Sequence, residues 1–131
     1  KADQPGVTTF RYHLRPHRGG YRPIEAARFG METSRPLIAV LADPGQPVPG
    51  SLLGMDTSDV LIETVKVSED GQAMVLRLFG VSGRTVRTRL DWRGVRPSGV
   101  FGTDLTERAL EPIRGKIEVP GYGVTMVRAE F

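Results

Sequence analysis

The sequence predicts an all-β protein, an antiparallel β-sandwich with one short helix near the N-terminus. Two observations carry that class. Seven to nine short segments rich in β-branched, aromatic or leucine residues recur at near-regular spacing, each bounded by Gly, Pro, Asp or Ser. The chain also spends 16 Gly and 10 Pro in 131 residues, which supplies the many turns such a fold needs.

The elements follow in order. Val7 and Thr9, with the alternation Phe10, Tyr12, Leu14, predict a strand that stops at Pro16. The stretch "RPIEAARFGMET" carries Pro23 near its start and Ala26, Ala27, Phe29 and Met31 within. It reads as a short helix weakened by Gly30 near its end. "PLIAVLA" is a continuous apolar run of buried-strand type. "DPGQPVPG", Asp43 to Gly50, is a loop crossing between sheets. The remaining strands are read in "SLLGM", "DVLIETVKV", "QAMVLRLFG", "RTVRTRLDW", "GVFGTDLTERAL", "GKIEVP" and "GVTMVRAEF".

A length of 131 residues suits a single domain, residues 1–131. At that size roughly two thirds of the unfolded surface can be buried, enough for a core. The absence of Cys excludes disulfides, thiolate nucleophiles and Cys-type zinc sites. A net charge of +3 comes from 18 basic and 15 acidic residues. The acids are scattered through the basic segments, which argues against nucleic-acid binding. No apolar run reaches the roughly 20 residues of a membrane helix. A first residue of Lys rather than Met points to a processed or excised chain, so the lack of a leader is uninformative. The compartment is open; for a bacterial protein the expectation is the cytoplasm.

Both histidines, His13 and His17, lie in "FRYHLRPHRGG". On a helix, a pair four residues apart can hold zinc. On a strand the two are about 13 Å apart along the chain, too far to share an ion without a sharp turn. The pattern favours hydrogen-bonded histidines at a strand end. No segment fits a phosphate-binding loop or a nucleophile elbow. Arg87, Arg89 and Arg93 share one parity of a strand with Asp91 among them, which reads as a solvated sheet face before an anion site. Tyr21 and Trp92 are weak candidates for stacking on a sugar ring, against a packing role. No catalytic constellation is found.

"VLIETVKV" and "QAMVLRLF" flank "SEDGQ" and predict a hairpin. Two registers compete. A two-residue Asp70-Gly71 turn sets Thr64 opposite Arg77. A three-residue loop ending on a left-handed Gly71 sets Glu63 opposite Arg77. The second is expected, because each charge sits mid-strand among apolar neighbours and is costly to leave unpaired. On that reading Arg77→Ala costs roughly 2–4 kcal/mol.

Three blocks in order resemble glycoside hydrolase family 38, the α-mannosidases. The first is "FRYHLRPHRGG", followed by the alanine-bearing helix and "RPLIAV". The second is "VLIETVKVSEDGQAMVLRLFGVSG", with Lys66, Glu69, Asp70, Gly71 and Arg77 at the recurring positions. The third is "TDLTERAL", with Asp104, Leu105 and Glu107. The segments "DPGQPVPG" and "DWRGVRPSGVFG" are not distinctive of the family. The resemblance implies the C-terminal β-sandwich of a large, retaining, zinc-dependent α-mannosidase whose nucleophilic Asp and zinc ligands lie in an N-terminal barrel. It therefore implies no catalytic or metal residue and no cofactor in this chain, with zinc in the catalytic domain. Pro16-His17 then reads as a family signature with a structural role, alongside Glu63, Arg77 and Gly71. The implied partners are the catalytic domain of the same chain and the carbohydrate substrate of the whole enzyme, with a homo-oligomer allowed. The alternatives are a carbohydrate-binding module and a stand-alone interaction sandwich.

Overall fold

The computed structural model describes residues 6–35, 37–41, 45 and 50–131. After helix α1 (Pro23–Ser34) come eight strands: β1 (Leu53–Met55), β2 (Val60–Val67), β3 (Ala73–Gly80), β4 (Val86–Thr88), β5 (Leu90–Trp92), β6 (Gly99–Thr103), β7 (Ile117–Val119) and β8 (Val124–Glu130). A four-stranded antiparallel sheet runs β2-β3-β8-β6. Two antiparallel ribbons, β1-β5 and β4-β7, form the second layer. The all-β sandwich with one short helix is therefore the observed class.

Period-two alternation sorts the central strands into two faces. Leu76 and Leu78 of β3 pair with Val127 and Thr125 of β8, so one parity of both strands points the same way. That parity meets the ribbons. Val60, Leu76, Leu78, Ile117, Val119, Val127 and Ala129 form one buried cluster, and Leu53, Met55, Val86, Leu90 and Trp92 pack onto it. Deleting a methylene-rich side chain from such a core costs about 2–5 kcal/mol.

The single strand predicted over Arg84–Trp92 breaks in two. The Asp56 carboxylate accepts the Arg89 N–H at 2.8 Å and the hydroxyl of buried Thr88 at 2.7 Å. A strand whose N–H is taken by a side chain leaves its ladder there. β4 accordingly pairs with β7, and β5 crosses to β1. In "GVFGTDLTERAL" only Gly99–Thr103 is strand. Beyond it, the Gly102 N–H donates to the Glu111 carbonyl at 2.9 Å and the Leu110 N–H to the Gly102 carbonyl at 2.9 Å, closing residues 104–109 into a loop.

Two expected strands are not formed. Residues 7–17 and 37–41 carry no strand pairing. Phe10, Tyr12 and Leu14 stand 70%, 83% and 90% exposed. Leu37, Ile38, Val40 and Leu41 are exposed as well. A strand needs a partner backbone, and the core face of the large sheet is already filled by the ribbons. The predicted crossing loop Asp43 to Gly50 lies mostly outside the described residues. Helix α1 forms with Pro23 in its first turn and an Arg22–Glu25 ion pair at 2.7 Å, but none of its residues is buried.

The hairpin register corrects the expectation. Thr64 lies opposite Arg77, Val65 opposite Leu76 and Val67 opposite Met74, the register of the two-residue Asp70-Gly71 turn. A bulge at Glu63 then shifts the pairing, so Ile62 faces Leu78 and Leu61 faces Phe79. The turn does hold Gly71 at φ +71° and a Gly71 N–H to Ser68 carbonyl bond of 2.9 Å. The Ser68 side chain moves the register. Its hydroxyl oxygen accepts the Ala73 N–H at 2.9 Å, and the Asp70 carboxylate accepts the Gln72 N–H at 3.0 Å. Ser68 thereby closes on Ala73, one residue beyond the expected Gln72.

Candidate functional site

The densest polar cluster gathers residues that sequence reading quoted separately. The β2–β3 turn brings Lys66, Ser68, Glu69 and Asp70 to one end of the large sheet. The 104–109 loop places Glu107 against them, and β8 supplies Arg128 and Glu130. Arg128 lies on the face of β8 turned away from the ribbons, opposite Val75 of β3 and Phe101 of β6. Its side chain is only 7% exposed.

Each donor edge of the Arg128 guanidinium is used. Nη2 donates to Asp70 Oδ2 at 2.8 Å, Nε to Glu130 Oε1 at 3.0 Å and Nη1 to the Glu107 carbonyl at 2.9 Å. Glu107 closes the cluster from the other side. One carboxylate oxygen meets Lys66 Nζ at 2.5 Å, and the other accepts the Glu69 N–H at 2.9 Å. Glu107 holds φ at +60°, a left-handed conformation that an L-residue adopts at a cost. An Asx turn precedes it: Asp104 Oδ1 accepts the Thr106 N–H at 2.8 Å and the Thr106 hydroxyl at 2.6 Å.

The same contacts set the titration. The Ser68 hydroxyl, the Gln72 N–H and the Arg128 guanidinium hold the Asp70 carboxyl far below its ordinary 3.8. Lys66 and the Glu69 N–H lower Glu107, and the Thr106 hydroxyl and N–H lower Asp104. Asp70, then Glu130, raises Arg128. All four groups thus stay ionised at neutral pH. A general acid or base needs a pKa brought toward the working pH, and these shifts run the other way. The cluster is chemically a staple, fastening the β2–β3 turn to β8 and to the 104–109 loop.

The remaining candidates lie elsewhere. Arg77 Nε meets Glu63 Oε2 at 3.0 Å, with side chains 48% and 30% exposed. The pair forms across the bulge and is too open to water for the large energy expected of a buried one. Exposed pairs contribute about 0.2–1 kcal/mol. His17 and Tyr21 lie in the exposed N-terminal segment, in a hollow shared with Arg15, Arg22, Glu25 and Phe29. Among the described residues no three His, Asp or Glu side chains converge as a metal site. Trp92 meets the Phe131 ring edge-on at 5.7 Å and packs against the core. Its free side lines a cleft of about 390 Å³ with Asp91, Arg96, Pro97, Val100 and Ile113. No described cavity is lined by both Tyr21 and Trp92. Arg87 pairs with Glu118 at 3.1 Å and Arg93 with Asp91 at 2.9 Å on the exposed side of the ribbons.

Lys66, Asp70 and Glu107, three of the positions that carried the family resemblance, are members of the staple. The model of the glycosyl hydrolases family 38 C-terminal beta sandwich domain matches residues 59–126, just over half of the chain. The chain belongs to this family. No curated protein matches it at a significant level. As a family 38 C-terminal sandwich it is a glycoside hydrolase-associated module. Its matched region begins one residue before β2 and ends within β8, so it contains β2, β3, β6, the start of β8 and the 104–109 loop. Arg128 lies two residues past the match and was missed in the sequence. Its signal there was faint: a lone Arg in "TMVRAEF", on the parity opposite the core residues.

Proposed function

We propose that this chain is a non-catalytic C-terminal module of a retaining, zinc-dependent α-mannosidase, supporting the catalytic barrel of the same polypeptide. The family match carries the reading, because that family model describes a C-terminal beta sandwich domain of glycosyl hydrolases. The site chemistry is consistent with it. Asp70 and Glu107 are held as carboxylates by Arg128, Lys66 and backbone N–H donors, which suits load transfer between loops rather than proton transfer. Zinc would be held by the catalytic domain, and the described residues of this chain offer no ligand set for it. In this role the module's partners are that domain, through it the mannoside substrate, and, if the enzyme assembles, a second copy.

The test is hydrolysis of an aryl α-mannoside. The purified chain should give no rate above the blank, and the product of the whole gene should hydrolyse it in a zinc-dependent way. Turnover by the chain alone, or a stoichiometric metal held by His13 or His17, would show that the module is not accessory. A whole gene product inactive on α-mannosides would remove the α-mannosidase assignment.

One observation favours a carbohydrate-binding role beside the supporting one: the Trp92 cleft pairs an aromatic surface with Asp91 and Arg96. Part of that ring is already used against Phe131 and the core, so weak binding is expected. Calorimetric titration with mannobiose should give a dissociation constant weaker than about 1 mM. A micromolar constant that Trp92→Ala abolishes would make binding the principal function.

A further inference from the structure

The layer opposite the large sheet is split. Asp56 takes the Arg89 N–H, β4 pairs with β7 while β5 crosses to β1, and among the described residues no ladder joins the two ribbons. The cleft beside Trp92 lies at that parting. Leu90 and Trp92 come from β5, Ile117 from β7, and Val100 from β6 of the facing sheet. Ile113 is fastened to Val100, its N–H donating to the Val100 carbonyl at 2.8 Å. These five side chains either belong to the core cluster or pack against it. The cleft therefore exposes a margin of the core, with both layers in its walls.

Its polar side is sparse. Of the side chains that line it, Asp91 and Arg96 alone are charged, and none carries a hydroxyl or an amide. Asp91 is engaged, because its Oδ2 accepts Arg93 Nε at 2.9 Å. Arg96 joins none of the ion pairs found among the described residues. The loop that carries it is tied at both ends. The Arg93 N–H donates to the Leu52 carbonyl at 2.9 Å, and the Ser98 N–H to the Glu130 carbonyl at 2.7 Å. Pro97 restricts the Arg96 backbone to extended conformations. The guanidinium is thus mounted on a tethered backbone at the rim of an apolar floor.

A ligand has to match a space of about 390 Å³, that floor and one available cation. Small-molecule sites are commonly built this way, mostly apolar with a few polar groups that fix orientation. A neutral saccharide carries hydroxyls around its ring, and a cleft without side-chain hydroxyls or amides returns few of the bonds they lose to water. A ring free of hydroxyls has no such loss. A carboxylate on that ring matches the planar guanidinium fork with two parallel bonds. Indole rings also favour aromatic partners, edge-on or offset, as Trp92 already shows with Phe131.

We propose that the Trp92 cleft is a binding site for a small aryl carboxylate, its ring against Trp92, Val100 and Ile113 and its carboxylate on the Arg96 guanidinium. This goes beyond the supporting role and does not depend on it. It makes an aromatic acid, rather than a neutral sugar, the preferred occupant of the cleft.

Trp92 is the one tryptophan of the chain, so its emission reports occupancy directly. Titration of the purified chain with phenylacetate should give a saturable emission change, with a dissociation constant below about 1 mM. Phenylacetamide keeps the ring and loses the charge, and should bind at least about 10-fold more weakly. Arg96→Gln should weaken phenylacetate binding by about 10-fold or more. It should leave the melting temperature of the unliganded chain within about 2 °C, because Arg96 is exposed. At about ten times its dissociation constant, phenylacetate should raise the melting temperature of the native chain by about 2–4 °C. No saturation up to about 10 mM overturns the proposal. Equal affinity for acid and amide, or unchanged binding by Arg96→Gln, overturns the assignment of Arg96 and with it the ligand class. Mannobiose is titrated beside the acid. Micromolar mannobiose binding without acid binding removes this inference and leaves the carbohydrate-binding reading. Acid binding with mannobiose weaker than about 1 mM removes only the carbohydrate-binding reading. Silence from both ligands removes this inference and leaves the supporting role alone.

Discussion

Arg128 shows how one side chain can hold a sheet end together. Three elements converge on its guanidinium, and its side chain is nearly out of solvent. Arg128→Ala removes the charge and strands Asp70, Glu130 and the Glu107 carbonyl together. Arg128→Lys keeps the charge but loses the planar fork that reaches all three. Thermal unfolding should drop by roughly 5–10 °C for the Ala variant and by a large part of that for Lys. A shift under about 2 °C would show the staple to be incidental. The pH dependence has a definite sign. Asp70 and Glu107 titrate below their ordinary values of 3.8 and 4.5 in the folded state, so the unfolded chain binds protons first. Their contribution is complete above about pH 5–6 and is lost as pH falls through the folded values. Denaturant midpoints should therefore decline from pH 5 to pH 2, and Asp70→Asn should flatten that decline. The Glu63–Arg77 pair belongs to a different class, because both groups keep substantial contact with water. A double-mutant cycle in urea should give a coupling of about 0.2–1 kcal/mol. A value above 2 kcal/mol would mean the bulge desolvates the pair more than its exposure indicates.

Strands in this protein end where side chains capture the backbone. Asp56 takes the Arg89 N–H and parts β4 from β5, and Ser68 takes the Ala73 N–H and fixes the β2–β3 turn. The turn before β8 is set by close approach instead. A Cβ on Gly121 would stand 2.6 Å from the Arg84 nitrogen and 2.6 Å from the Gly83 carbonyl carbon. Those are backbone atoms of the facing turn, held by the Tyr122 N–H to Ser82 carbonyl bond of 3.2 Å. Gly121→Ala forces the two turns apart and should destabilise the domain by about 1–3 kcal/mol in urea unfolding. An unchanged midpoint would mean the 82–84 turn yields freely.

The molecule divides into a neutral sandwich that uses its apolar residues and a cationic arm that does not. All buried hydrophobic residues found lie between Val60 and Ala129. Deleting residues 1–49 should therefore leave a folded domain, with a melting temperature within about 3 °C of the whole chain. Loss of cooperative unfolding on deletion would show that α1, which borders Leu61 and Phe79, closes the outer face of β2–β3.

The sandwich class was legible in the sequence because alternation and turn residues are local properties. "QAMVLRLFG" and "GVTMVRAEF" announce their strands whatever lies beside them, and they became the two central strands of the large sheet. The ordered charged motif was legible as a family pattern, but its purpose was not. Lys66, Asp70 and Glu107 meet only after the 104–109 loop folds back, and Arg128 enters from a strand 58 residues beyond Asp70. The hairpin register was misread for the same reason. The cost of leaving two mid-strand charges unpaired favours Glu63 opposite Arg77, whereas the Ser68 hydroxyl and the Glu63 bulge decide otherwise. "FRYHLR" carries as clear a strand pattern as any in the chain and still forms none here. Periodicity states which face a segment would bury once it has a neighbour. Only the tertiary structure decides whether this chain supplies that neighbour, because a β-strand, unlike a helix, leaves its hydrogen bonds to be made by another segment.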